Sequence, residues 1–318
     1  MRSILLIRYS ALGDVVLATS VVAPLRSKYP GVRIEWLTDA NFAPLLEGVV
    51  DRVISFERRN PVSRAAALLD VKGRFDLAID LQNKLWSMRA ARAAAPERKR
   101  FVRRTAWQAL VSLVGRDVVL NAEHATSLYA SAAGVEAGPL ALRVSDEARA
   151  RAVALLPDGP KPWAAIAPGA AWETKRWPPE RFGELGARLQ AKGFRVALLG
   201  GPMDAPLLEA VKQRCPVEAD LTQEKLPALA AALARCKVLV GNDSGLVHVA
   251  QAVGCRAVAI FGPTSVKRWG PRSPGTAVSL GLECAPCTNH GGKRCPLGHH
   301  DCLQKLSVDQ VDDVLPLL

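Results

Sequence analysis

The chain has 318 residues, 49% of them hydrophobic, and a formal net charge of +12. That length and content supply apolar material for two packed domains of roughly 150 residues each and exclude a disordered chain. The longest apolar runs, such as residues 3–7 and 238–240, are strand-sized, far short of the roughly 20 residues a bilayer span needs. The basic excess favours an acidic partner, whether phosphorylated sugar, nucleic acid or anionic membrane, without choosing among them.

Arg2 precedes an apolar stretch, but this ends at Arg8 with no small-residue cleavage site, so residues 3–7 are expected as a first buried strand in a cytoplasmic chain. A helical pattern over 15–25 follows, then a strand at 32–37, a short helix near 42–46, a strand at 53–55, a helix over 65–69 and a strand at 77–80. This alternation predicts a parallel sheet with crossover helices. The pattern loosens between 90 and 150, where helix is expected to dominate. Arg89, Arg92, Arg98, Lys99, Arg100, Arg103 and Arg104 gather there against one acid, Glu97, interleaved with Trp86, Phe101 and Trp107. The cluster suits a lipid headgroup or a nucleic-acid backbone, or is a solvated helix face.

Residues 157–162, Pro-Asp-Gly-Pro-Lys-Pro, make the best linker in the chain. Beyond it strands are expected at 163–167, 195–199, 238–240 and 257–261, with helices at 179–192, 206–214, 227–234 and 246–253 between them. The division reads as a first Rossmann-like domain over 1–157 and a second over 158–318, with the C-terminal helix a candidate to pack back on the first. No internal repeat or low-complexity tract is evident. In doubly wound sheets ligands sit outside the carboxyl ends of the strands, so the strand-to-helix loops are the place to look for chemistry.

Three loops carry it. Arg8-Tyr9-Ser10-Ala11-Leu12-Gly13-Asp14 follows the first strand, and Asp14 near a helix start is either a cap or a functional carboxylate. It lacks the G-x-G-x-x-G of dinucleotide sites. Gly241-Asn242-Asp243-Ser244-Gly245-Leu246-Val247-His248 opens a helix whose first N–H groups can bind phosphate. His248, one turn in, is either a ligand contact or a core histidine. In Pro168-Gly169-Ala170-Ala171-Trp172-Glu173-Thr174-Lys175-Arg176-Trp177-Pro178, Lys175 is either a diphosphate-neutralising cation or a surface lysine beside packing tryptophans.

In this order and at these separations, the three loops resemble glycosyltransferase family 9, the lipopolysaccharide heptosyltransferases. Residues 75–82, Phe-Asp-Leu-Ala-Ile-Asp-Leu-Gln, and Phe261-Gly262-Pro263-Thr264 share the resemblance, which spans essentially the whole chain. It implies a GT-B architecture of two Rossmann-like α/β domains facing across a cleft. It also implies inverting transfer of a heptose or related sugar, from ADP-heptose or a similar nucleotide sugar to a lipopolysaccharide core or other glycan acceptor. Asp14 falls on the family's general base, and Lys175, Asp243, Ser244, Gly245 and His248 fall on its donor-binding residues. Asp204, in Gly200-Gly201-Pro202-Met203-Asp204, stands by approximate placement for its ribose-binding acid. An acidic lipid-linked acceptor would make Arg89, Arg92, Arg100 and Arg103 acceptor-binding, on an enzyme peripheral to an anionic inner-membrane surface with no nucleic acid partner. Lys175 and the helix dipole can hold the diphosphate, so no catalytic metal is required. The competing readings are a nucleotide-sugar epimerase, a non-catalytic nucleic-acid or membrane-binding protein, and a nicotinamide oxidoreductase.

Cys284, Cys287, Cys295 and Cys302 follow a C-x2-C-x7-C-x6-C spacing that can surround one structural zinc or iron ion. His290, His299 and His300 could replace a thiolate, and disulfides or free thiols are the alternatives. Cys215, Cys236 and Cys255 stand isolated in apolar elements and are expected in the core.

Overall fold

The apolar run at the start of the chain forms β1 (Ser3–Ile7), in which Ile4, Leu5, Leu6 and Ile7 are all fully buried. Successive residues of a strand point to opposite faces, so both faces are covered, as in the centre of a parallel α/β sheet. In the computed structural model, which describes residues 1–101 and 123–315, β1 lies between β2 (Arg33–Asp39) and β4 (Leu77–Asp80). With β3 (Arg52–Phe56) and β5 (Glu97–Arg100) it makes a parallel sheet of order β3-β2-β1-β4-β5. Leu5, Ile7, Leu37, Ile54 and Phe56 pack with Ala67 and Val71 of helix Pro61–Val71 and with Ala90 and Ala94 of helix Leu85–Ala94. Each such aliphatic side chain contributes about 1.5–3 kcal/mol on full burial. Helix Pro61–Val71 starts where it does because the Asn60 side chain accepts from the Val62 and Ser63 N–H groups and Pro61 fills the first turn.

β5 was not expected. Its sequence, Glu-Arg-Lys-Arg, has no apolar alternation, yet it pairs in parallel with β4 from Leu77↔Glu97 to Asp80↔Arg100. A charged edge strand suits a position with one open side, where lysine and arginine discourage pairing with another chain. Arg103, Arg104 and Trp107 lie outside the described residues.

The second sheet is also parallel, with order β11-β10-β9-β6-β7-β8. Its strands are β6 (Trp163–Ala167), β7 (Arg195–Leu198), β8 (Ala219–Asp220), β9 (Cys236–Asn242), β10 (Arg256–Ile260) and β11 (Thr276–Val278). Helix Pro179–Ala191 brings Phe182, Leu185 and Leu189 into its core beside Trp177, whose indole N–H donates to the Leu306 carbonyl at 2.9 Å. Two glycines let this helix approach its neighbour: a Cβ on Gly183 would stand 2.8 Å from the Val211 carbonyl oxygen, and one on Gly186 2.7 Å from Cys215 Sγ. Cys215, Cys236 and Cys255 are buried as expected, and burial pushes the Cys215 thiol up to about 11 and the Cys255 thiol up to about 12.

The described residues divide into one unit of 1–101 with 123–143 and another of 144–315. The expected boundary after residue 157 therefore moves to residue 143. Helix Asp146–Leu155, capped by the Ser145 side chain, packs against helix Leu226–Leu233, and Arg151 pairs with Glu224. The Pro-rich stretch is a turn inside the second unit, its Pro157 carbonyl accepting from Trp163 Nε1 and Arg195 Nη1. Proline and glycine mark where a chain bends, not which side of the bend the packing belongs to. The last described helix, Val308–Asp312, lies on helix Pro179–Ala191, with Arg188–Asp309 and Lys192–Asp312 contacts of 2.6 Å each. Among the described residues no helix is long and apolar enough to cross a membrane.

Candidate functional site

In the first unit the site grows from the carboxyl end of β1. Asp14 is the third residue of helix Leu12–Ala18, but its capping contact, from the Ala11 N–H to Oδ2, is long at 3.4 Å. The stronger partners lie elsewhere. Arg8 Nη2 stands 2.7 Å from Asp14 Oδ2, and the Tyr129 hydroxyl donates to Oδ1 in a short bond. Tyr129 comes from helix Ala125–Ala133, which packs on Leu12–Ala18, and its ring centroid lies 5.3 Å from the Arg8 guanidinium carbon. Burial works against the Arg8 charge, yet Tyr129, Asp14 and Asp80 together raise its pKa. Asp14 therefore has its carboxylate held at both oxygens, with 18% of its side chain exposed against 8% for Arg8. Each carboxylate oxygen has about two lone-pair sites, so capacity remains for a further donor.

The same edge is shaped by Gln82 and Asp80. Gln82 Oε1 accepts from the Tyr9 and Ser10 N–H groups at 3.0 and 3.1 Å, fixing the loop that leads to Asp14. Asp80, 1% exposed, accepts from the Gln82 and Asn83 N–H groups and from Ser87 Oγ, each at 2.9 Å, while burial raises its pKa.

Arg89, Arg92 and Arg100 sit on two elements, with Arg100 Nη1 3.5 Å from Met88 Sδ on the helix that carries the other two. Arg100 is exposed at the carboxyl end of β5, next to Asp80 across the ladder. Arg89 and Arg92 are exposed on helix Leu85–Ala94. That helix follows β4 and runs back along the sheet, so at 1.5 Å per residue Arg92 lies roughly 10 Å from its start and away from the carboxyl edge.

In the second unit three loops converge at the carboxyl edge of β6, β9 and β10. Lys175, at the end of the 3-10 turn Glu173–Lys175, places Nζ 2.7 Å from Asp243 Oδ2, and Thr264 Oγ1 donates to the same oxygen at 2.6 Å. Asn242 ties the loops together: Oδ1 accepts from the Trp177 N–H at 3.0 Å, and Nδ2 donates to the Pro168 carbonyl at 2.7 Å. Asp204 reaches the same place, its carboxylate accepting from the Gly201 N–H and filling the space where a Cβ on Gly169 would stand. Ser244 and Gly245 open helix Gly245–Ala252, but the Ser244 hydroxyl makes no capping bond and is buried without a partner among the described residues. The first N–H groups of that helix and the unpartnered Ser244 hydroxyl can both donate to an anion. His248, the fourth residue of that helix, is 3% exposed.

Tyr129 and Thr264 had no assigned role in the sequence. Tyr129 sits in the stretch that lacked periodicity, 115 residues from Asp14. Thr264 was visible only as part of Phe261-Gly262-Pro263-Thr264.

Cys284, Cys287, Cys295 and Cys302 line one concavity of about 420 Å³ with His299 and His300. Burial and the three other thiols push the Cys302 thiol up to about 11. All seven cysteines are free, so the disulfide alternative is not realised. The spacing thus brings the sulfurs to one cavity, but among the described residues no group of three or more His, Cys, Asp or Glu is arranged to hold a metal ion.

A carboxylate held by a cation and a hydroxyl at one carboxyl edge, and a lysine beside a helix start at another, agree with the family resemblance of the loops. The model of glycosyltransferase family 9 (heptosyltransferase) matches residues 67–297. The chain belongs to glycosyltransferase family 9. It is a glycosyltransferase, and the epimerase, oxidoreductase and non-catalytic readings fall with that assignment. The lipooligosaccharide heptosyltransferase 2 of Haemophilus influenzae is 28% identical over 307 residues, covering 85% of this chain and 86% of its own. The structure of a family 9 glycosyl transferase from Veillonella parvula superposes with a TM-score of 0.79 at 23% identity, covering 98% of this chain and 95% of that one. Escherichia coli heptosyltransferase WaaC with ADP-2-deoxy-2-fluoro heptose gives 0.68 at 22% identity, covering 98% of each. The fold is that of the GT-B heptosyltransferases, two parallel-sheet α/β units.

Proposed function

We propose that this glycosyltransferase transfers a heptose from ADP-heptose to a saccharide acceptor of lipopolysaccharide core, with inversion at the anomeric carbon. The observation that carries the sugar class is the family match over residues 67–297; the site residues supply the chemistry. Asp14 acts as general base, taking the proton of the acceptor hydroxyl as that oxygen attacks the anomeric carbon. Arg8 and Tyr129 hold the carboxylate in place. The bond from the anomeric carbon to the diphosphate breaks as the new one forms, and the departing ADP carries the negative charge. Lys175 and the N–H groups at the start of helix Gly245–Ala252 stabilise that charge. Asp243 and Thr264 fix the lysine rather than touch the sugar. Asp204 is the ribose-contacting acid in this reading, and His248, one turn into the helix that Ser244 opens, is a further donor contact.

Arg100 is the member of the basic set that fits acceptor binding best, because it shares an edge with the Asp14 loop. Arg89 and Arg92 fit an anionic surface instead, on an enzyme working in the cytoplasm at the inner membrane. A zinc or iron ion held by Cys284, Cys287, Cys295 and Cys302 would be structural, since four cysteine ligands, losing their protons on binding, would close a tetrahedral site and leave no open position.

The test is a donor screen. Calorimetric titration with ADP-heptose and with UDP-, GDP- and other ADP-sugars should give one clear preference, for ADP-heptose, and turnover should require a core acceptor. Tighter binding of a UDP- or GDP-sugar would overturn the donor assignment. Elemental analysis of protein purified without chelator should find about one zinc or iron per chain, and metal-free, fully folded protein would remove the structural ion.

A further inference from the structure

The turn that carries Lys175 is too short to hold itself. Glu173–Lys175 is a three-residue 3-10 turn, and such pieces have few internal bonds and poor hydrogen-bond geometry. What holds it is the Cys-rich loop. The Thr174 N–H donates to the Gly292 carbonyl at 3.2 Å, the Thr174 hydroxyl donates to the same oxygen at 2.9 Å, and the Gly292 N–H donates to that hydroxyl at 2.8 Å. His300 Nε2 donates to the Thr174 carbonyl at 2.8 Å. Gly291, at φ +93°, lies so close that a Cβ there would stand 2.8 Å from both Lys175 Cδ and Trp172 Cβ. The other side of the loop is tied to the element carrying Thr264, because the Cys287 and Thr288 N–H groups donate to the Pro263 carbonyl at 2.9 and 3.1 Å.

Thr174 is 5% exposed, so its polar groups answer only to this loop and not to solvent. His300 adopts a left-handed backbone, φ +55°, which costs a non-glycine residue energy and persists only where its surroundings require it. That conformation accompanies a ring that reaches the turn. Lysine is a compact charge on a flexible stem and does not fix its own position. Its value to a departing diphosphate depends on being held in place before the charge develops.

We infer that Thr174 and His300 are positioning residues for the donor diphosphate, clamping the Cys-rich loop onto the Lys175 turn so that Lys175 is set against Asp243. The inference rests on the reading of Lys175 as the diphosphate contact. It gives the Cys-rich loop a role in donor binding whatever the state of its thiols.

The test is ADP calorimetry and steady-state kinetics on Thr174→Val, Thr174→Ser, His300→Ala and Lys175→Ala, with thermal melts as the folding check. Thr174→Val should raise the ADP Kd and the donor KM about five- to tenfold with acceptor KM unchanged, as expected for one lost buried hydrogen-bonding group. Thr174→Ser, which keeps the hydroxyl, should return both to within about twofold of wild type. His300→Ala should weaken ADP in the same direction, and it carries the test if the valine variant does not fold. In the Lys175→Ala background Thr174→Val should add less than about twofold, because the group it positions is gone. Wild-type ADP affinity in both Thr174→Val and His300→Ala, or an equal loss with and without Lys175, would overturn the positioning role while leaving the lysine assignment intact. Unchanged ADP affinity in Lys175→Ala would instead remove the diphosphate reading, and this inference with it.

Discussion

The two units build the same trio at the carboxyl edge of a parallel sheet, and turn it in opposite directions. In the first, a carboxylate, a cation and a hydroxyl are Asp14, Arg8 and Tyr129; in the second they are Asp243, Lys175 and Thr264. The exposed member differs. Asp14 shows 18% of its side chain against 8% for Arg8, whereas Lys175 shows 13% against 7% for Asp243. One edge therefore exposes a carboxylate with its cation behind it, and the other exposes a cation with its carboxylate behind it. A transfer that removes a proton from one substrate and leaves an added negative charge on the diphosphate released from the other needs that asymmetry. The residue types are the same at both edges; the exposed member is what differs.

The largest effect expected from this comparison is on the base. Asp14→Asn keeps an acceptor for Arg8 but cannot take the proton, so the transfer rate should fall about 10²- to 10⁴-fold with ADP affinity near wild type. Comparable turnover of the two proteins in a coupled ADP-release assay would break the assignment of the first edge. Next comes the cation. Lys175→Ala should weaken ADP binding by about 1.5–3 kcal/mol, the worth of a hydrogen bond to a charged group, and calorimetry would read it directly. Unchanged ADP affinity would remove Lys175 as the diphosphate contact and break the assignment of the second edge.

The two hydroxyls sharpen the comparison. Tyr129→Phe and Thr264→Val each remove one hydrogen bond, worth about 1 kcal/mol, but they should do so on different parameters. The phenylalanine variant should lower kcat about fivefold with donor KM unchanged. The valine variant should raise donor KM by a similar factor. Identical patterns from the two would mean the edges are not specialised. The smallest effect separates Arg100 from Arg92. Arg100→Glu should raise acceptor KM a few-fold, whereas Arg92→Glu should reduce binding to vesicles of anionic lipid and leave acceptor KM alone, with both effects shrinking as salt is raised. Equal behaviour of the two in both assays would join them in a single basic patch.

Strands β1–β4, β6, β7, β9 and β10 were legible because buried parallel strands read as continuous apolar runs and their crossover helices as 3.6-residue patterns, both local properties, whereas the short edge strands β8 and β11 left no such run. The loops at residues 8–14, 168–178 and 241–248 followed, since ligands in such folds gather where strands hand over to helices. β5 escaped because Glu-Arg-Lys-Arg has no apolar signal, and an edge strand needs none once a neighbour supplies the ladder. The unit boundary escaped because a turn signal at 157–162 does not say which core the preceding helix joins.

By itself, then, the sequence determined the alternating α/β order and the loops in which Asp14, Lys175 and Asp243 stand, because periodicity and loop chemistry are written within a few residues. The tertiary structure decided what those residues meet. Tyr129 reaches Asp14 across 115 positions, and Gly292 reaches Thr174 across 118. Those outcomes depend on which helix and loop return to which sheet edge. Contacts between residues so far apart are settled by packing the whole unit, and no local pattern records them.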